Sequence, residues 1–192
     1  MTSMTSTMDR TRLWSVDSRV IVYSAIGAAL YGVLVGLVKV PIPGTTAVDV
    51  RPAFALVPFF GFAFGPIVGF FTGLVGNMIG DQISGWGALT SYNWSLANGI
   101  VGLIAGLAPL LFGAWVRGSL AQKAAAGAIA GSVGVLLGFL FAFYDIVKDQ
   151  MDFNAVLTQE YLPVILADLV ATIILVPVLV YAWEPVKERL GR

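Results

Sequence analysis

Cysteine and histidine are both absent from these 192 residues, and only 11% of the side chains are charged. Without cysteine there is no disulfide framework, thiol nucleophile or thiolate metal site. Without histidine there is no imidazole base, and the commonest metal ligand is gone. No metal or cofactor is therefore expected. The scarcity of charge excludes more, because a soluble domain of this size carries about a quarter charged residues. Eleven basic residues balance eleven acidic ones with no basic tract, which argues against a nucleic-acid partner. The phosphate loop GxxxxGK[ST], the G-x-S-x-G elbow and the HExxH pair are also missing, so the sequence offers neither its own route to ATP hydrolysis nor a common hydrolase motif.

What is present is apolar: 58% of the residues are hydrophobic, and the mean hydropathy is +0.87. That composition places the chain in a membrane, in contact with lipid. A crossing needs roughly 20 apolar residues to traverse about 30 Å of hydrocarbon. The first run, residues 20–38, meets this and is expected to be a retained span, because the polar stretch before it has no apolar core of a cleaved signal. Residues 53–80 are too long for one helix, at about 42 Å. Gly61, Gly65 and Pro66 interrupt them, predicting two short helices joined by a tight turn. Further spans are expected over 95–116, 124–144 and 161–183.

The fold expected is an all-α bundle of six transmembrane helices, the second and third short. A cytoplasmic tail (1–19) precedes the membrane domain (20–183) and another (184–192) follows it. Charge supports the count. Six spans gather Arg10, Arg12, Arg19, Arg117, Lys123, Lys187, Arg189 and Arg192 on one side and leave Lys39, Arg51 and Lys148 on the other. By the positive-inside rule, both termini are then cytoplasmic. Segments 39–52, 81–94 and 145–160 fall outside, where they form the longer, more polar walls of an outer mouth.

Polar groups concentrate in "GNMIGDQISGWGALTSYNWSLANG", residues 76–99. Asn77 and Asp81 lie four apart and share one helical face, where they can orient a ligand or cap the helix. Trp86 and Trp94 lie at the expected interface, where aromatic belts are common. Their interleaving with Asn93 and Asn98 also suits a flat heterocycle, stacked on indoles and read at its edges by amides. Asp145 and Lys148 are spaced for an ion pair near the end of the fifth helix, beside Tyr144. Asp168 lies inside the last apolar helix, and an acid at that depth is a functional-site hypothesis by default. On the first helix, Ser24, Ala28, Gly32 and Gly36 recur every four residues, with Ala25 and Ala29 alongside. Such a face lets another helix approach closely, either within the bundle or on a partner subunit.

The stretch "PIPGTTAVDVRPAFALVPFFGFAFGPIVGFFTGLVGNMIGD", followed by "SGWG" and "NWSLANGIVGLIAG", resembles the S components of energy-coupling factor (ECF) transporters, in the branch labelled riboflavin-type. The resemblance extends over nearly the whole chain after residue 20. It implies a six-helix subunit in a prokaryotic plasma membrane that captures a vitamin-like molecule from outside. Such a subunit topples in the membrane while docked on a T subunit driven by two ATPase subunits. It also implies that Ala25 and Ala29 contact the T subunit. Ligand contacts would fall on Lys39, Trp86, Asn93, Trp94, Asn98, Tyr144, Asp145 and Asp168. Substrate identity does not follow from the fold. Two alternatives remain open at this point: a solitary transporter working without an ATPase module, and a small intramembrane enzyme using Asp81 and Asp168 as acid and base.

Overall fold

In the computed structural model, residues 13–189 are described, and they form a helical bundle with one small hairpin. Helix α1 (Ser18–Leu37) starts where the Asp17 carboxylate accepts the Val20 N–H (2.9 Å), satisfying a backbone donor that the first turn leaves free. A two-stranded antiparallel hairpin follows, β1 (Val40–Pro41) on β2 (Asp49–Val50), with Val40 opposite Val50. The 3-10 turn Pro52–Ala55 feeds α2 (Leu56–Phe64), α3 (Pro66–Ile83) and α4 (Tyr92–Gly106). The capping box of Ser119 and Gln122 opens α5 (Leu120–Gly138), which continues through a 3-10 segment (Phe139–Tyr144) to Asp145–Lys148. A short helix (Phe153–Val156) and a π-helical turn (Leu157–Tyr161) lead into α6 (Leu162–Arg189).

The expected division of the second apolar tract is observed, and its hinge is Gly65. Its φ of 106° lies in the left-handed region that favours glycine, and Pro66 then opens α3 with a φ already suited to a helix. The fourth helix departs from expectation. It runs from Tyr92 to Gly106 rather than across 95–116, and the remainder breaks into four-residue turns, Ala108–Leu111 and Gly113–Val116. Pro109 accounts for this, because it lacks the N–H that a continuing helix would bond and its ring crowds the preceding turn.

Among the described residues, three helical runs are long and apolar enough to cross a membrane: Ser18–Leu37, Leu120–Lys148 and Phe153–Arg189. Helices α2, α3 and α4 fall short of the roughly 20 residues that a straight crossing needs. Their packing rests on small residues. Helix α3 lies between α1 and α4, and a Cβ added at Gly69 or Gly73 would overlap the carbonyl oxygens of Gly102 and Asn98. On its other side, Gly32 and Gly36 of α1 lie against Ile79 and Ile83. The stripe seen in the sequence therefore divides. Ala28, Gly32 and Gly36 serve internal packing, whereas Ala25 and Ala29 remain exposed.

The core separates into two clusters. One joins Tyr31, Phe54, Val101, Phe139 and Val164, and the other Phe59, Phe60, Val68, Val176 and Val180. The outer faces of α1, α5 and α6 expose Ile26, Leu30, Leu136, Leu166, Val170 and Ile174, an apolar surface suited to lipid.

Candidate functional site: a polar cavity at one end of the bundle

The helices separate where their polar residues begin. Between the hairpin, the ends of α1, α3 and α5, the start of α4 and the π-helical turn lies a cavity of about 350 Å³. That volume falls within the ~300–1,000 Å³ of small-molecule sites. Lys39, Asn77, Asp81, Trp86, Trp94 and Asp145 all line it. Six of the ten ligand contacts expected from the sequence thus meet in one place.

The wall is held by two hydrogen-bonded systems. In the first, Arg51 donates to Asp168 Oδ2 (3.0 Å) and to Asn77 Oδ1 (3.4 Å). The Asn77 amide then donates to Asp81 Oδ2 (3.0 Å) and to the Ser95 hydroxyl (3.2 Å). This chain ties the segment after the hairpin to α3, α4 and α6. Asp168 is fully buried and lies behind Arg51 rather than on the wall. Asp81 and Asp168 therefore do not face each other as an acid–base pair: Arg51 and Asn77 stand between them.

In the second system Asp145 is the acceptor. Its carboxylate receives the Trp94 indole N–H (2.7 Å) and the Asn93 amide (2.9 Å), with Lys148 at 3.7 Å. The local reason lies in the start of α4. Asn93 and Trp94 sit in its first turn, so both side chains reach the 3-10 extension of α5. Trp94 also packs its ring on Phe139, with centroids 5.9 Å apart. Trp86 hangs over the cavity from a turn with positive φ at Gly85 and Gly87, closed by hydrogen bonds from the Trp86 and Gly87 N–H groups to the Asp81 carbonyl.

Four expected residues lie elsewhere. Asn93 is buried behind the wall, and so is Asp168. Asn98 is also fully buried. Its oxygen accepts the Tyr31 hydroxyl (2.8 Å), and its amide donates to the Trp94 carbonyl (2.8 Å), so both ends are engaged within the bundle. Tyr144 is exposed and lies outside the lining, its ring against that of Tyr92 with centroids 6.0 Å apart.

Arg51 and Glu160 line the cavity without having been singled out by the sequence reading. A signal for Arg51 existed. A carboxylate in the apolar last helix calls for a cation, and only Lys39, Arg51 and Lys148 occur in the loops on that side. Glu160 gave no such signal, because the π-helical turn that carries it has no pattern in the sequence.

An apolar helical bundle with a small aromatic-walled cavity lined by polar residues at one end has the form of a membrane protein with a small-molecule-sized site. The comparisons with known proteins make that class more specific. Residues 15–184 match the family model described as the ECF-type riboflavin transporter, S component, and the chain belongs to that family. Among curated proteins it is similar to a UPF0397 protein of Aliivibrio salmonicida (strain LFI1238), with 41% identity over 97 residues, 50% of this chain and 51% of that protein. UPF0397 proteins of Aliivibrio fischeri (strain MJ11) and Vibrio atlanticus (strain LGP32) show 40% identity over 97 and 95 residues, again about half of each chain. The chain thus matches about half the length of these curated relatives. No solved structure matches it.

Proposed function

We propose that the chain is the substrate-binding S component of an ECF-type importer and captures a small, flat, heterocyclic micronutrient from outside the cell. The carrying observation is the cavity, with Trp86 and Trp94 on its wall beside Asn77, Asp81 and Arg51. Indole faces suit a flat ring, and the polar groups suit its edges. Membership in the S-component family supports the same reading. Riboflavin, which the family description names, is the first molecule to test.

The reading includes six membrane crossings, with α2, α3 and α4 as short spans. Both termini lie in the cytoplasm and the cavity opens outward, as the distribution of Lys and Arg supports. Energy comes from outside the chain, through a T subunit and two ATPase subunits. The exposed Ala25 and Ala29 on α1 are the T-subunit contact, since small side chains let a partner helix approach closely.

Native mass spectrometry of the purified protein tests the binding role directly. Protein prepared from cells supplied with riboflavin is expected to retain a small molecule, and Trp94→Ala is expected to lose it. Retention by neither protein, together with no binding of added riboflavin or other vitamins, would refute the role. Ala29→Leu is expected to abolish co-purification with a T subunit while leaving ligand retention intact.

A further inference from the structure

The ionic pairs on the cavity wall separate the charges that hold the fold from those left over. Lys39 is held by Asp49 (3.2 Å) and by the Ser84 hydroxyl (3.0 Å). Arg51 is held by Asp168 (3.0 Å), and Lys148 by Asp149 (2.7 Å) and Asp145 (3.7 Å). Every cation on the wall is thus committed to a carboxylate. Among the described residues, two lining acids have no ion-pair partner: Asp81 and Glu160. Asp81 accepts one side-chain hydrogen bond, from Asn77.

The Glu160 side chain accepts no hydrogen bond from any described residue. It is 5% exposed, its Oε2 is buried without a partner, and it lines the cavity. The helix around it is wound as a π turn over Leu157–Tyr161, a local widening that often marks functional positions. The turn is anchored to the hairpin loop, where the Thr46 N–H donates to the Gln159 carbonyl (3.4 Å). A buried carboxylate with no partner is expensive in any protein and more so within a membrane bundle. Such a group persists where something outside the chain completes it.

The aromatic wall specifies the shape of that missing partner. The Trp94 indole N–H is already given to Asp145, so the face of the ring is what remains for a ligand. Trp86 is half exposed at the rim of the same cavity. Indole faces attract cations as well as flat rings. An excess of carboxylate beside two indoles is the wall of a cation site.

We propose that the cavity selects a flat organic cation, a protonated or quaternary nitrogen heterocycle whose positive centre lies against Glu160. Asp81 accepts an N–H of the same molecule, and Trp86 and Trp94 cover its ring. The inference rests on the binding-subunit reading and specifies the charge of the ligand.

The test uses the full chain in detergent, titrated calorimetrically with thiamine (an aromatic cation), riboflavin (a neutral flat ring) and biotin (an anion), with native mass spectrometry of whatever the protein retains from cells. The expected result is a cation, either retained or bound as thiamine, whose affinity falls at least about tenfold in Glu160→Gln and in Asp81→Asn. The melting temperature of Glu160→Gln should be unchanged or raised, since the substitution removes an unpaired buried charge. If Glu160→Gln cannot be purified, Asp81→Asn and the charge of the wild-type ligand decide the matter. A retained or bound molecule that is neutral or anionic overturns the charge assignment while leaving a binding subunit in place. A cation bound equally well by wild type and both variants overturns it in the same way. If nothing is retained and no probe binds, the binding-subunit reading fails and the proposal falls with it.

Discussion

At the closed end of the bundle, rings pack on rings. Tyr23 stacks on Phe64 at 4.5 Å between centroids, and Trp183 meets Phe64 edge-on at 5.0 Å. The buried carboxylate of Glu184 there is answered by Lys123 across the α5–α6 contact and by Lys187 one turn on. At the cavity end α3 carries Asn77 and Asp81, α4 carries Asn93 and Asn98, the extension of α5 carries Asp145 and α6 carries Asp168. Between the two ends, glycines of α3 and α4 bring backbones into direct contact. The contrast shows how one apolar chain can be solid at one end and open at the other. Close glycine packing and aromatic filling make one end solid, while polar side chains that satisfy one another hold the other end open.

The largest effect is expected at the glycine crossing on which both ends depend. In Gly102→Leu the new side chain would overlap the Gly69 backbone, which no rotamer relieves. Inserting a few methylenes into a packed core already costs about 1–3 kcal/mol, and a whole side chain driven into backbone is expected to prevent the bundle from packing at all. Loss of a monodisperse species on size-exclusion chromatography is expected, and a normal elution profile would contradict the close approach of α3 and α4.

Next in size is the ion pair behind the cavity. Asp168→Ala leaves Arg51 buried without its counter-charge, and removing one partner of a buried pair costs roughly 3–5 kcal/mol. Thermal unfolding should show the loss. The double variant Arg51→Met with Asp168→Leu should recover most of the stability, because the uncompensated charge is gone. A double variant no more stable than Asp168→Ala would contradict that account.

Asn98→Ala is expected to be smaller, about 1–3 kcal/mol, the cost of leaving the buried Tyr31 hydroxyl unpaired. A double-mutant cycle with Tyr31→Phe should show strong coupling between the two substitutions. Asn98 would instead belong with the ligand contacts if its loss weakened binding without lowering the melting temperature.

The smallest effect is expected at the closed end. Lys123→Met should cost no more than about 1 kcal/mol, since a partly exposed pair contributes little and Lys187 still faces Glu184. Ligand affinity should not move. A change in affinity would show that the two ends are coupled rather than independent.

Local pattern was enough to foresee several of these features. Asn77 and Asp81, four residues apart, do share a helical face and do hydrogen-bond. Asp145 and Lys148 do pair within one turn. The break at Gly65 and Pro66 follows from their backbone chemistry alone. The membrane character follows from composition, because no arrangement of so few charges could cover a water-exposed surface.

Contacts between distant segments were not visible in this way. Asp168 was marked by its depth in an apolar helix, but its partner Arg51 lies 117 residues away, with α2, α3, α4 and α5 between them in the chain. Asn98 was marked by its polarity, yet whether it faces a ligand or Tyr31, 67 residues earlier, depends on how α1 and α4 rotate against α3. Glu160 was placed on the wall by a π turn whose extra residue re-aims the side chain without leaving a periodicity to detect. Secondary structure and the preference for lipid arise from interactions a few residues long or from bulk composition, and both can be read along the chain. The pairing of buried charges is fixed by helix rotation and register, which glycine contacts between distant segments set only once the bundle has packed.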